Sequence, residues 1–85
     1  MRELEFTNLA TKQFAEWEIT DKKTRAKIIG LLNIIIETPF TGIGKPEALK
    51  YNLSSCWSRR INKEHRLVYQ VFNDKIIIIS CKYHY

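Results

Sequence analysis

The sequence predicts an α+β domain of order βααβββ, an antiparallel sheet with two N-terminal helices packed on one face. Three observations carry this reading. Residues 2–6 alternate in polarity, residues 8–37 carry apolar side chains at helical spacing, and residues 54–84 hold apolar runs divided by turn residues. At 85 residues the chain makes one domain, residues 1–85. That length leaves no room for a dinucleotide-binding unit plus a substrate domain, or for a TIM barrel.

Each element has a local reason. Arg2-Glu3-Leu4-Glu5-Phe6 suggests a short strand. Thr7 or Asn8 caps a helix reaching about Ile19, with Ala10, Phe14 and Trp17 along one stripe. Thr20-Asp21 restarts the chain, and a second helix runs to about Glu37 on a buried side of Ile28, Leu31, Leu32, Ile35 and Ile36. Thr38-Pro39 stops it. Residues 40–50 form a Gly/Pro loop without the spacing of a phosphate-binding loop. Strands are expected at about 54–61, 65–72 and 76–84, joined by turns at Asn62-Lys63 and Asn73-Asp74.

Charge is unevenly placed. The chain carries 14 Lys and Arg against 9 Asp and Glu, for a net +5. The whole excess lies in residues 41–85, where Lys45, Lys50, Arg59, Arg60, Lys63, Arg66, Lys75 and Lys82 face only Glu47, Glu64 and Asp74. A polyanionic partner is the natural inference. Cys56 and Cys81 read as small core residues of a reducing compartment, and neither they nor His65 and His84 have metal-ligand spacing. The N-terminal residues lack a signal-peptide core, and no apolar run is long enough to span a membrane, so a cytoplasmic protein is expected.

Strand parity tests which side chains share a face. The odd positions Trp57, Ile61, Leu67, Tyr69, Val71, Ile77, Ile79 and Cys81 are apolar and should face the helices. The even positions Ser58, Arg60, Arg66, Gln70, Ser80, Lys82 and His84 should face away. A continuous odd face puts Ile61 opposite His65 and therefore Arg60 opposite Arg66. It likewise puts Phe72 opposite Ile76 and Arg66 opposite Lys82, although Asn73-Asp74 alone would make a simpler two-residue turn. Arg60, Arg66, Lys82 and His84 then cluster on an open face with Glu47 in the preceding loop. A carboxylate, an imidazole and a guanidinium are the components of metal-free RNA cleavage: a base for the ribose 2′-OH, an acid for the leaving 5′-oxygen, and a cation for the phosphorane.

Gly44-Lys45-Pro46-Glu47, Trp57-Ser58-Arg59-Arg60-Ile61, Glu64-His65-Arg66-Leu67-Val68-Tyr69 and Tyr83-His84-Tyr85 together resemble the YoeB/Txe family of the RelE superfamily, toxins of type II toxin–antitoxin systems. The resemblance implies a βααβββ microbial-RNase-like (RelE/YoeB-type) fold and a ribosome-dependent mRNA endonuclease that cuts in the vacant A site and stops translation. It implies Glu47 as general base, His84 as general acid and Arg66 as the transition-state cation. Lys50 and Arg60 would surround the scissile phosphate, Tyr85 would stand beside the acid, and Arg59 and Lys82 would contact the RNA backbone. It further implies a YefM-type antitoxin that holds the toxin inactive, and a homodimer; from the residues themselves no cofactor and no metal are expected. Ser55-Cys56 departs from the family's Gly-Phe and Ala48 from its proline, both outside the expected catalytic set. The main alternative is a non-catalytic RNA- or ribosome-binding module of the same fold. A DNA-binding regulator is disfavoured, since no helix-turn-helix or basic helix is visible.

Overall fold

Thr7 and Asp21 set the helix boundaries. The computed structural model describes residues 2–49 and 56–83. In it the Thr7 hydroxyl accepts the Ala10 N–H at 3.0 Å and opens α1, Asn8–Thr20. The Asp21 carboxylate accepts the N–H groups of Lys23 and Thr24 and the Thr24 hydroxyl, opening α2, Lys22–Glu37. Those bonds, the Thr24 hydroxyl first, hold the Asp21 carboxyl below its ordinary range. α2 ends at Thr38 because Pro39 disfavours the helical region for the residue before it.

The strands are β1 (Glu3–Phe6), β2 (Glu47–Ala48), β3 (Cys56–Arg60), β4 (Arg66–Val71) and β5 (Lys75–Ser80). They form one sheet of order β1-β5-β4-β3-β2. The meander is antiparallel as expected, but β1 pairs with β5 in parallel, so the sheet as a whole is mixed. β2 lies in the stretch read as loop and pairs antiparallel with β3.

The β3–β4 turn is the expected one. Arg60 pairs with Arg66, the Ile61 N–H reaches the His65 carbonyl, and Asn62 Oδ1 accepts the N–H groups of Glu64 and His65. The β4–β5 turn differs from the expectation. Val71 pairs with Ile76 and the Phe72 N–H reaches the Lys75 carbonyl, so Asn73-Asp74 does form a two-residue turn. A β-bulge then changes the register between Tyr69↔Ile78 and Val68↔Ser80, leaving Ile79 as the extra residue. The two-residue turn inverts the parity of β5, so Ile76 and Ile78 enter the core in place of Ile77 and Ile79; the bulge restores it, and beyond it Cys81 is in the core as expected.

The core lies between the helices and this face of the sheet. Ala10, Trp17, Ile28, Leu31, Leu32 and Ile35 meet Ile61, Leu67, Tyr69, Ile76, Ile78 and Cys81. Each fully buried aliphatic side chain stabilises the packing by ~1.5–3 kcal/mol. α1 also binds the chain just past β5: Gln13 Oε1 accepts the Cys81 N–H at 2.7 Å and the Trp17 indole N–H donates to the Cys81 carbonyl at 2.9 Å. No helix among the described residues is long and apolar enough to cross a membrane.

Candidate active site

The site begins where the loop after α2 returns to the sheet. The Gly44 carbonyl accepts the Arg60 N–H at 2.7 Å. Gly44 sits at φ +94°, and a Cβ there would lie 2.5 Å from Arg59 Cγ. Only glycine lets the loop approach β3 so closely. Pairing then continues through Glu47↔Ser58, Ala48↔Trp57 and the Leu49 N–H to the Cys56 carbonyl. This edge strand carries Glu47 onto the sheet face that presents Ser58, Arg60 and Arg66, because directly paired residues project to the same side.

A cavity of about 190 Å³ results, lined by Gly44, Lys45, Glu47, Leu49, Ser58, Arg60 and Arg66. Its charged side chains are the cations Lys45, Arg60 and Arg66 and the single carboxylate of Glu47. The Arg66 guanidinium is held by its own turn: Nη1 donates to the carbonyls of Asn62 at 2.8 Å and His65 at 3.1 Å. Directly opposed like charges such as Arg60 and Arg66 cost a sheet ~0.2–1 kcal/mol. An anionic ligand between them attracts both guanidinium groups and offsets that repulsion. The arrangement can hold a phosphodiester and put one carboxylate beside it.

Of the expected site residues, Glu47, Arg60 and Arg66 come together. Lys50, His84 and Tyr85 lie outside the described residues. The chain leading to His84 passes Arg66, whose N–H donates to the Tyr83 carbonyl at 3.0 Å. Lys45 and Ser58 join the site without having been singled out for it. Gly44-Lys45 was visible as a loop element and Ser58 as an even-face residue, but neither residue type announces a role by itself.

Two expected RNA contacts are placed elsewhere. Arg59 is 0% exposed on the helix side of the sheet. Its Nη2 donates to the carbonyls of Thr38, Pro39 and Thr41 and to the Tyr69 hydroxyl, which in turn donates to the Pro39 carbonyl at 2.6 Å. Carbonyls at a helix C-terminus carry the negative end of its dipole, which suits a buried cation. Burial raises the Tyr69 hydroxyl above its ordinary range, against the opposing effect of Arg59. Arg59 thus fastens the 38–41 backbone beneath β3, upstream of Gly44 and Glu47.

Lys82 departs in the same sense. Past the bulge the chain leaves the open face, and Lys82 reaches Glu16 at 3.9 Å with its ammonium 5.4 Å from the centre of the Trp17 ring. It packs on α1 and not opposite Arg66 in the cavity. The two thiols are buried, as expected; burial pushes Cys81 up to about 11 and raises Cys56 as well. Among the described residues no three His, Cys, Asp or Glu side chains are grouped as metal ligands.

Known proteins resemble this chain in sequence and fold. Residues 6–85 match the model of the YoeB-like toxin of bacterial type II toxin–antitoxin systems. The Toxin YoeB of Escherichia coli K12 is 55% identical over 69 residues, 81% of this chain and 82% of that protein. Among solved structures, the YoeB dimer of Staphylococcus aureus superposes with a TM-score of 0.92 at 47% identity, covering 99% of this chain and 98% of that one. A YoeB–YefM complex from the same organism gives 0.89 at 45% identity over 100% and 99%. Two helices on a mixed five-stranded sheet, with this cationic cavity at its edge, define a toxin of the RelE-like fold. More narrowly, the chain belongs to the YoeB-like family of type II toxin–antitoxin toxins.

Proposed function

We propose that this toxin is a ribosome-dependent mRNA endonuclease that cuts in the A site by metal-free general acid–base catalysis. The observation that carries the reading is Glu47 in one cavity with Lys45, Arg60 and Arg66. A carboxylate is ionised at neutral pH and ready to take a proton. Glu47 removes the ribose 2′-OH proton, and the freed 2′-oxygen attacks the adjacent phosphorus. Arg66 and Arg60, with Lys50, stabilise the charge on the equatorial oxygens. His84 protonates the departing 5′-oxygen, with Tyr85 beside it. The products are a 2′,3′-cyclic phosphate and a 5′-hydroxyl, with the proton passed from substrate to leaving group overall. In this reading Arg59 and Lys82 take no direct part, which is supported by the bonds of Arg59 to the 38–41 loop and the contacts of Lys82 with Glu16 and Trp17.

The same reading places the protein in the cytoplasm with the ribosome and mRNA. A YefM-type antitoxin is its proposed inhibitor and a homodimer its proposed assembly, supported by the S. aureus YoeB–YefM complex and YoeB dimer. The test adds purified protein to translating ribosomes and maps mRNA 5′ ends by primer extension. Cuts at A-site codons should appear with the wild type and be absent with Glu47→Ala. Ribosome binding with no cut by the wild type would instead make it the non-catalytic binding module.

A further inference from the structure

We infer that His65 is a positioning residue for the reaction, setting where the chain delivers the catalytic acid. The inference rests on the reading of His84 as that acid. His65 is 8% exposed and lies outside the cavity lining. Its Nδ1 accepts the Tyr83 N–H at 2.7 Å. A ring nitrogen that accepts a backbone N–H carries no proton, so the imidazole is neutral with its hydrogen on Nε2. The ring is fixed edge-on against Trp17, centroids 4.8 Å apart at 82°.

Tyr83 needs such a hold. Its φ is +65°, a region that side-chain-bearing residues avoid and that persists only when the surroundings impose it. β5 has ended at Ser80, so the backbone groups beyond it have lost their regular ladder. Side chains of α1 take up Cys81, and His65 takes up Tyr83. The Tyr83 carbonyl is then bonded by the Arg66 N–H at 3.0 Å. His65 also works from its other end, since its carbonyl accepts Arg66 Nη1 at 3.1 Å. One buried residue thereby holds the Tyr83 backbone with its ring and, together with the Asn62 carbonyl, the Arg66 guanidinium with its own carbonyl.

Two substitutions separate the acceptor from the ring. His65→Phe keeps an aromatic ring against Trp17 and removes the acceptor. His65→Asn removes the ring and places Oδ1 near the former Nδ1. Single-turnover cleavage would be measured on saturating programmed ribosomes, with the thermal midpoint and the exchange rate of the Tyr83 amide measured on the same full-length proteins. His65→Phe should cut about ten- to a hundredfold more slowly, the cost of a misplaced catalytic group, with ribosome affinity unchanged. Its Tyr83 amide should exchange faster than in the wild type. His65→Asn should be the less stable of the two, yet the faster enzyme with the better protected amide. Rates that instead follow stability, with His65→Asn the slower, would overturn the inference and leave His65 a packing residue. His84→Ala is the control: if it cuts as fast as the wild type, the acid assignment itself fails. If it is inactive while His65→Phe cuts normally, only the positioning role fails.

Discussion

The two faces of the β3–β4–β5 meander are built from alternating residues of the same strands but obey different rules. On the helix side Ile61, Leu67, Tyr69, Ile76 and Ile78 exclude water, and even Arg59 is wholly enclosed, its charge met by backbone carbonyls and a phenol. On the open side Arg60 and Arg66 stand opposite each other beside Glu47, an arrangement that costs the fold something and suits an anion. Arg59 and Arg60 are neighbours in sequence and belong to different chemistries. A charged side chain therefore does not declare its own role; the side of the sheet on which it falls decides whether it holds the protein together or meets a ligand.

Substitutions that move activity but not stability should come from the open face. Glu47→Ala and Arg66→Ala should each slow cleavage by about 10²–10⁴ and leave the thermal midpoint nearly unchanged. His84→Ala should likewise relieve growth inhibition while antitoxin binding survives. Wild-type toxicity from any of these would remove that residue from the reaction. The hidden face should behave in the opposite way. Arg59→Ala should cost about 2–4 kcal/mol in denaturant unfolding, since it leaves a void and unpaired carbonyls. Wild-type stability with weakened RNA binding would return Arg59 to the ligand side.

Gly44→Ala tests the joint between the faces. The left-handed backbone and the approach to Arg59 should make it cost about 1–3 kcal/mol and reduce cleavage too, because Glu47 lies just beyond. Normal cleavage would show that Glu47 is placed independently of the loop. Cys81→Ser should lower stability by about 1 kcal/mol and leave cleavage alone, because a hydroxyl replaces a buried thiol. An unchanged unfolding midpoint would contradict Cys81 as a core residue. The smallest effect should come from Asp21, which touches neither side of the sheet. Its folded carboxyl is held below the ordinary range, so its contribution to stability is present above that range and is lost as pH falls through the lowered value. In acid titrations the stability difference between the wild type and Asp21→Ala should shrink as the pH falls below about 4.

Much of this architecture was legible in the sequence. Capping residues and Pro39 bounded the helices, and alternation in β3 and β4 placed Arg60 across from Arg66. Parity broke down in β5 because Ile76–Ile79 are four identical residues; either alternate pair could face the core, and only the turn and the bulge choose. The Asn73-Asp74 pair carried the better local signal there. β2 is two residues long, too short for any periodicity, although it is what carries Glu47 to the site. Arg59 shared the parity of Trp57 and Ile61, which agrees with its burial; only the family resemblance had given it an RNA contact. His65 acts as an acceptor to a residue 18 positions away, a relation that no local pattern encodes.

The chemistry of the open face is tested most directly at the cut ends. mRNA cleaved on programmed ribosomes should carry a 2′,3′-cyclic phosphate on the upstream fragment and a 5′-hydroxyl on the downstream one, since the proposed nucleophile is the 2′-oxygen. Upstream fragments ending in a 3′-hydroxyl with a downstream 5′-phosphate would mean that water attacked the phosphorus, and would contradict Glu47 as the base for the ribose.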